Sequence, residues 1–153
     1  MTPAPTAEEL RELYRELILD HAKAPRHFGK LDGATHQAEG INPLCGDKLK
    51  LYLHLGESGV IDDVAFEGSG CAISVASASL LTEAVLGQPV KSALQQSANI
   101  VQSLTGDGMD DQLGKLAALQ GVREFPARVK CATLAWRALD AAINNDHQPA
   151  TTE

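Results

Sequence analysis

Three cysteines and one aspartate carry the clearest chemical signal in the sequence. Cys45 and Cys71 are flanked by glycines, and Cys131 comes a few residues after a proline. Asp47 lies two residues after Cys45, so in an extended chain both side chains point to the same face. Three thiolates and one carboxylate form a plausible tetrahedral ligand set for zinc. The pattern therefore predicts a metal site built from Cys45, Asp47, Cys71 and Cys131.

The positions of two cysteines also favour their ionised form. Cys71 is predicted at the first turn of a helix and Cys131 near the start of the last helix, where backbone N–H groups and the helix dipole favour a thiolate. Arg128 and Lys130 come just before Cys131. Their positive charges could offset a thiolate-rich site or keep a nearby thiolate nucleophilic.

Less specific interpretations stay open at this point. Cysteine is among the most buried residue types, and without a CxxC spacing each thiol could be a small core residue. A Cys–His hydrolase pair is a weaker alternative, because no oxyanion-loop pattern accompanies the scattered histidines. The segment Gly68-Ser69-Gly70 precedes a predicted helix and could hold phosphate. It lacks the lysine or further glycine of the nucleotide-binding loops.

Composition limits the class of protein. The chain has 153 residues, 44% of them hydrophobic, with a formal net charge of −7, which fits one globular domain. An odd cysteine count excludes a complete disulfide framework, and the polar N-terminus predicts no signal peptide. No run reaches the roughly 18 apolar residues of a membrane span. The acidic balance argues against nucleic acid. We expect a cytoplasmic protein with neither a nucleic-acid nor a membrane partner.

Hydrophobic periodicity predicts the elements that must position these residues. Helical spacing predicts helices over 6–22, 73–85, 90–104 and from Pro126 to about 143, with a shorter helical piece near 113–117. Leucines alternate with polar residues over 49–55, and 60–66 follows after a short turn, so a hairpin is expected. The stretch 26–42 is expected to be a loop with a short edge strand near 35–38.

These elements predict a single α+β domain spanning residues 1–153. Strands that occur together in the first half, followed by helices, favour a small antiparallel sheet with helices packed on one side. The ordered core is expected over about 6–143, and residues 144–153 are expected to form a polar, frayed tail.

Four segments together resemble the U-type iron–sulfur cluster scaffold family, and within it the SufU branch, over roughly residues 10–143. The matching residues occur in order and with consistent spacing. They are LYRELILDHAKAPRH at 13–27, NPLCGD at 42–47, FEGSGCAIS at 66–74 and EFPARVKCATLAW at 124–136.

The resemblance implies a function and roles for individual residues. Cys45, Asp47, Cys71 and Cys131 match the metal ligands of the family, and the metal of the SufU branch is zinc. Cys45 matches the cysteine that accepts persulfide sulfur from a pyridoxal-phosphate cysteine desulfurase of SufS type. Arg128 matches a basic residue near that site. Downstream iron–sulfur assembly proteins are the other expected partners, and the implied activity is that of a zinc-dependent sulfurtransferase.

Two departures from the cluster scaffolds favour the sulfur-transfer branch. Lys130 stands where those scaffolds have a histidine before the last cysteine, and residues 88–122 form a long insertion. Two alternatives remain: a scaffold or carrier that assembles a [2Fe–2S] cluster on the same ligands, and a structural zinc domain that only binds partners.

Overall fold

The computed structural model describes residues 7–43, 46–105, 116, 118–119, 122, 125–144 and 150–151. Within these ranges the chain forms four α-helices and four strands. In chain order they are α1 (Ala7–Lys23), β1 (His36–Asn42), β2 (Asp47–Leu55), β3 (Ile61–Ser69), α2 (Ala72–Val85), α3 (Val90–Thr105), α4 (Pro126–Ile143) and β4 (Ala150–Thr151). The helical piece predicted near 113–117 lies almost wholly outside the described residues.

The strands form one sheet in the order β3-β2-β1-β4. β1, β2 and β3 pair antiparallel, which confirms the predicted antiparallel sheet and α+β class. β4 pairs in parallel with β1 through Gly40 and Ile41. The expected frayed tail is therefore wrong for residues 150–151, because backbone pairing with β1 holds even this polar segment. The extent of the domain and of its ordered core stays a prediction.

The helices cover one face of the sheet, as predicted. α2 and α4 pack against the strands, α1 packs on α2, and α3 packs on α4. Leu49, Leu51 and Leu53 are almost fully buried on the helix side of β2. Asp47 begins the same strand in the same alternation, so its side chain also points toward the helices. No helix among the described residues is long and apolar enough to cross a membrane.

β1 is longer than the sequence indicates, and it replaces the last seven residues of the predicted loop over 26–42. Its sequence has few β-branched or aromatic residues, so local propensity favours a strand only weakly. A Cβ atom on Gly40 would lie 3.1 Å from Cδ1 of Leu134, so the glycine allows α4 to pack closely over this strand. Tertiary packing therefore makes β1 a full strand, which ends at the buried Asn42.

The outer face of β2 provides a titration test of this sheet. Tyr52 is buried and donates a hydrogen bond to Glu67. Burial, together with the Glu67 carboxylate, raises the pKa of Tyr52 to about 12. The pKa of a tyrosine in an unfolded chain is about 10. Between this pH and the pKa of Tyr52 in the folded protein, the folded protein holds one more proton than the unfolded chain. The free energy of unfolding therefore falls as the pH rises through this range.

We therefore expect a phenolate absorbance component that titrates near pH 12. Tyr52→Phe should remove both this component and the corresponding part of the alkaline loss of stability. Complete ionisation of the tyrosines of the folded protein at about pH 10 would contradict the raised pKa of Tyr52.

Candidate metal centre

Three elements bring an aspartate and two cysteines together at one end of the sheet. Asp47 is the first residue of β2, Cys71 immediately precedes α2, and Cys131 lies on α4. One oxygen of Asp47 and the two sulfurs all lie within 4.8 Å of one another. Asp47 and Cys131 are buried, whereas Cys71 is partly exposed. A ligand or partner could therefore approach this group from the side of Cys71.

The Asp47 carboxylate is held from several sides. Its Oδ1 accepts a hydrogen bond from the backbone N–H of Cys71 at 2.8 Å, and its Oδ2 accepts one from the Ser74 hydroxyl at 2.7 Å. Burial alone would raise the pKa of this carboxyl. The hydrogen bonds from Ser74, Cys71, Cys131 and Asn42 outweigh burial, and the pKa of Asp47 lies below its usual value. The site therefore favours a charged carboxylate.

The start of α2 contributes directly to that preference. Cys71 is the N-cap residue of α2, and its side chain makes no capping hydrogen bond. Instead, the carboxylate of Asp47, at the start of β2, caps the helix by accepting the backbone N–H of Cys71. A carboxylate at a helix N-terminus interacts favourably with the helix dipole. Because Asp47 already accepts the Cys71 N–H, this donor is not open to an added phosphate, which weakens the phosphate interpretation of Gly68-Ser69-Gly70.

Gly70 allows the aspartate to lie this close to the start of the helix. A Cβ atom at Gly70 would lie 2.5 Å from Oδ1 of Asp47. Real Cβ atoms essentially never approach other atoms so closely. The glycine before Cys71 is therefore a packing requirement of the site. The sequence alone indicated only a possible phosphate-binding role for this glycine.

Asn42 also belongs to the site, and the sequence analysis assigned it no role. Its backbone pairs with Asp47 across β1 and β2. Its side-chain amide lies 3.4 Å from Oδ2 of Asp47 and 3.7 Å from Sγ of Cys131, and donates to both. The two-residue period of β1 would have placed Asn42 on the helix face with Ala38 and Gly40. That signal was lost because this stretch was predicted to be a loop.

Cys131 lies deeper than predicted. It is the sixth residue of α4 and is fully buried, so it does not occupy the helix N-terminus. The helix dipole acts mainly within the first turn, and it is therefore not the main influence on this sulfur. The side-chain amide of Asn42 donates a hydrogen bond to this sulfur, and Cys131 is also hydrogen-bonded to the Asp47 carboxylate. The prediction that Cys131 is activated by a helix N-terminus is wrong.

The remaining predicted residues are only partly placed. Cys45 lies outside the described residues. Arg128 is exposed in the first turn of α4, and Lys130 is half-buried in the same helix. Arg128 and Cys131 are three residues apart, a spacing that puts helical residues on neighbouring positions of one face. The ligand role of each predicted residue stays a prediction.

The donor set fits zinc in type and in spacing. Thiolate sulfur and carboxylate oxygen are both zinc ligands, and Zn–S bonds of about 2.3 Å place two sulfurs of a tetrahedron about 3.8 Å apart. Sγ of Cys71 lies 3.9 Å from Oδ2 of Asp47. The ligand atoms of Asp47, Cys71 and Cys131 all lie within 4.8 Å of one another, so side-chain rotations that shift them by about 1 Å would give the spacing of a tetrahedral zinc site.

Comparisons with known proteins identify the family to which the chain belongs. The NifU-like N terminal domain family matches residues 13–150. Because the match covers most of the chain, the protein belongs to this family, and the resemblance to the U-type scaffolds is confirmed.

Several relatives are similar along nearly their whole length. The chain is 43% identical over 136 residues to the zinc-dependent sulfurtransferase SufU of Bacillus subtilis, covering 88% of this chain and 91% of that protein. It is 40% identical over 138 residues to the iron–sulfur cluster assembly scaffold protein IscU of Thermotoga maritima, covering 90% and 96%.

A solved structure of similar type confirms the fold. A putative iron–sulfur cluster assembly scaffold protein for the SUF system from Fervidobacterium islandicum superimposes with a TM-score of 0.80 at 35% identity. The match covers 87% of this chain and 98% of that one. The relatives thus include both a sulfurtransferase and scaffolds, so the choice between these functions depends on the chemistry of the site.

Proposed function

We propose that the protein is a zinc-dependent sulfurtransferase in iron–sulfur cluster biogenesis. The observation that carries this proposal is the convergence of Asp47, Cys71 and Cys131 within 4.8 Å. Similarity to the B. subtilis sulfurtransferase supports it. In this proposal zinc, when bound, keeps the clustered thiols ionised and protects them from oxidation.

Cys45 is the proposed fourth ligand and the sulfur acceptor. Asn42 and Asp47 are paired across the two strands, and Cys45 lies in the short connection between them. Consecutive Cα atoms are about 3.8 Å apart, so the Cα of Cys45 is within about 8 Å of that of Asp47. The side chains of Cys45 and Asp47 can together span much of this distance. Gly46 next to Cys45 has a positive φ of 71°, a backbone conformation that glycine adopts readily.

The proposed reaction is a transfer of one sulfur atom between two thiols. The donor is the persulfide of a pyridoxal-phosphate cysteine desulfurase, which we expect to be of SufS type. The Cys45 thiolate attacks the terminal sulfur of that persulfide. A new S–S bond forms on Cys45, the S–S bond of the donor breaks, and the desulfurase cysteine leaves as a thiolate, in the manner of thiol–disulfide exchange. Iron–sulfur assembly proteins would then take up the sulfur.

Arg128 is proposed to assist from the rim of the site. It is exposed and precedes the buried Cys131 by three residues on α4. A guanidinium group there would attract an anionic persulfide and favour a thiolate over a thiol. The odd number of cysteines and the proposed thiolate chemistry fit a reducing compartment, so the cytoplasm is the proposed setting.

The test combines metal analysis with a sulfur-transfer assay. We expect one zinc per chain in purified protein. With a cysteine desulfurase and free cysteine, we expect faster desulfurase turnover and a persulfide mapped to Cys45 by mass spectrometry. Anaerobic reconstitution provides the comparison. A stable, transferable [2Fe–2S] cluster formed in preference to zinc would favour a scaffold. Bound zinc without sulfur uptake would favour a structural zinc domain.

A further inference from the structure

We propose that Asn42 is a positioning residue of the metal centre, which holds Cys131 as the stationary sulfur ligand. The inference concerns how the site is built, and it rests on the proposed function only for the identity of the metal. It differs from the ligand assignment because Asn42 contacts two of the proposed ligands without being one of them.

The hydrogen bonds of Asn42 are directed to the site. Among the described residues, its side-chain amide donates to Oδ2 of Asp47 at 3.4 Å and to Sγ of Cys131 at 3.7 Å. Its side-chain oxygen is buried and has no hydrogen-bond partner among the described residues. Burying an unpaired acceptor costs free energy. The benefit of an amide at this position is therefore the pair of hydrogen bonds that its N–H group donates to Asp47 and Cys131.

These contacts fix one sulfur differently from the other. Cys131 is fully buried and accepts a hydrogen bond from the Asn42 amide. Cys71 is partly exposed, and its sulfur lies 3.8 Å from the Ser74 hydroxyl and 3.9 Å from Oδ2 of Asp47. A hydrogen bond to a ligand atom orients it and stabilises its charge. It also lowers the nucleophilicity of a thiolate, because the donor competes for the same electron pair. Asn42 therefore keeps Cys131 on the metal and leaves sulfur uptake to another cysteine.

Asn42→Leu separates this role from a purely structural one. Leucine has nearly the shape of asparagine but has no donor group. The substitution takes one donor from Asp47, which keeps the hydrogen bonds from Ser74 and the Cys71 N–H, and it also removes the buried, unpaired oxygen of Asn42. We expect the urea midpoint of the metal-free variant to stay close to that of the wild type. Its zinc dissociation constant should nevertheless rise about 10- to 100-fold. The cobalt-substituted variant should show an altered thiolate-to-metal charge-transfer band.

Ser77→Ala is the matched control. Ser77 is also buried, but its hydroxyl donates to the backbone oxygen of Ala132, which is not a proposed ligand. We expect this variant to lose stability and to keep wild-type zinc affinity. Asn42→Ala removes the same donors with a smaller side chain, and it replaces Asn42→Leu in the zinc titration if the leucine variant does not fold.

Two results would overturn the inference. One is a zinc affinity of Asn42→Leu equal to that of the wild type. The other is a loss of affinity accompanied by an equal loss of metal-free stability, which would make Asn42 a structural residue. A wild-type protein that binds zinc but takes no sulfur from the desulfurase would contradict the proposed function alone. The zinc titration would still decide the role of Asn42.

Discussion

Cys45→Ala is expected to abolish sulfur uptake while leaving the fold intact. The reaction requires a thiolate that attacks the persulfide, and alanine provides no nucleophile. Persulfide on the protein should fall to the background of the assay, and desulfurase turnover should return to its unstimulated rate. The buried core among the described residues is built from side chains of the helices and strands themselves, so we expect the far-ultraviolet circular dichroism of the variant to match that of the wild type.

Cys71→Ala is the matched control for this experiment. It also removes one sulfur from the proposed ligand set, so both variants should bind zinc more weakly. Cys71→Ala keeps the proposed acceptor, however, and mass mapping should still find persulfide on Cys45. A folded Cys45→Ala protein that stimulates the desulfurase fully would refute the assignment of Cys45. The assignment of Cys45 would also be refuted if the Cys45→Ala variant carried persulfide on Cys71 or Cys131 in the amount that the wild type carries.

Residue types and spacing were enough to predict that Asp47, Cys71 and Cys131 would lie together. Cys71 follows one recognisable strand and Asp47 begins another, and the alternation of Asp47 with the buried leucines of β2 indicates which side it faces. The depth of Cys131 was not predictable in the same way. Helical periodicity gives the face of a residue on α4, but its burial depends on where α4 lies over the sheet. Only the packed structure supplies that information.

Asn42 and Gly70 could not be assigned roles from the sequence because their roles arise from contacts between distant segments. Asn42 contacts Cys131, which is 89 residues away. Gly70 must lack a side chain because Asp47, from a different strand, occupies the space. Strand β1 was largely missed for a related reason. Its Gly40 weakens the local strand signal, yet the same glycine lets α4 pack against the sheet.

Gly68→Ala is expected to cause the largest loss of stability of any single methyl addition near the site. Gly68 lies in β3 with φ = 147°, a conformation that side chains rarely adopt. Its Cβ would lie 2.1 Å from the backbone oxygen of Lys48 and 2.8 Å from Cα of Leu49. Both atoms belong to the backbone of β2, so no side-chain rotation can relieve the collision. We expect a loss of about 3–5 kcal/mol, from the strained φ together with overpacking.

The effect should also reach the metal centre. The pairing of Gly68 with Leu49 and of Ser69 with Lys48 aligns the end of β3 with the start of β2. That alignment places the N–H of Cys71 against the carboxylate of Asp47. Separating the two strands should therefore weaken zinc binding together with stability, measured by chelator competition and by urea unfolding.

Gly59→Ala isolates the contribution of the backbone conformation. Gly59 also has a positive φ, 79°, but a Cβ there would meet nothing within 4 Å. Its substitution should cost only about 1–2 kcal/mol, the penalty of a left-handed conformation, and should leave zinc affinity unchanged. Equal losses of stability in the two variants would mean that φ alone accounts for Gly68. A larger loss in Gly68→Ala, with weaker zinc binding, would show that close contact between β2 and β3 is what holds Cys71 against Asp47.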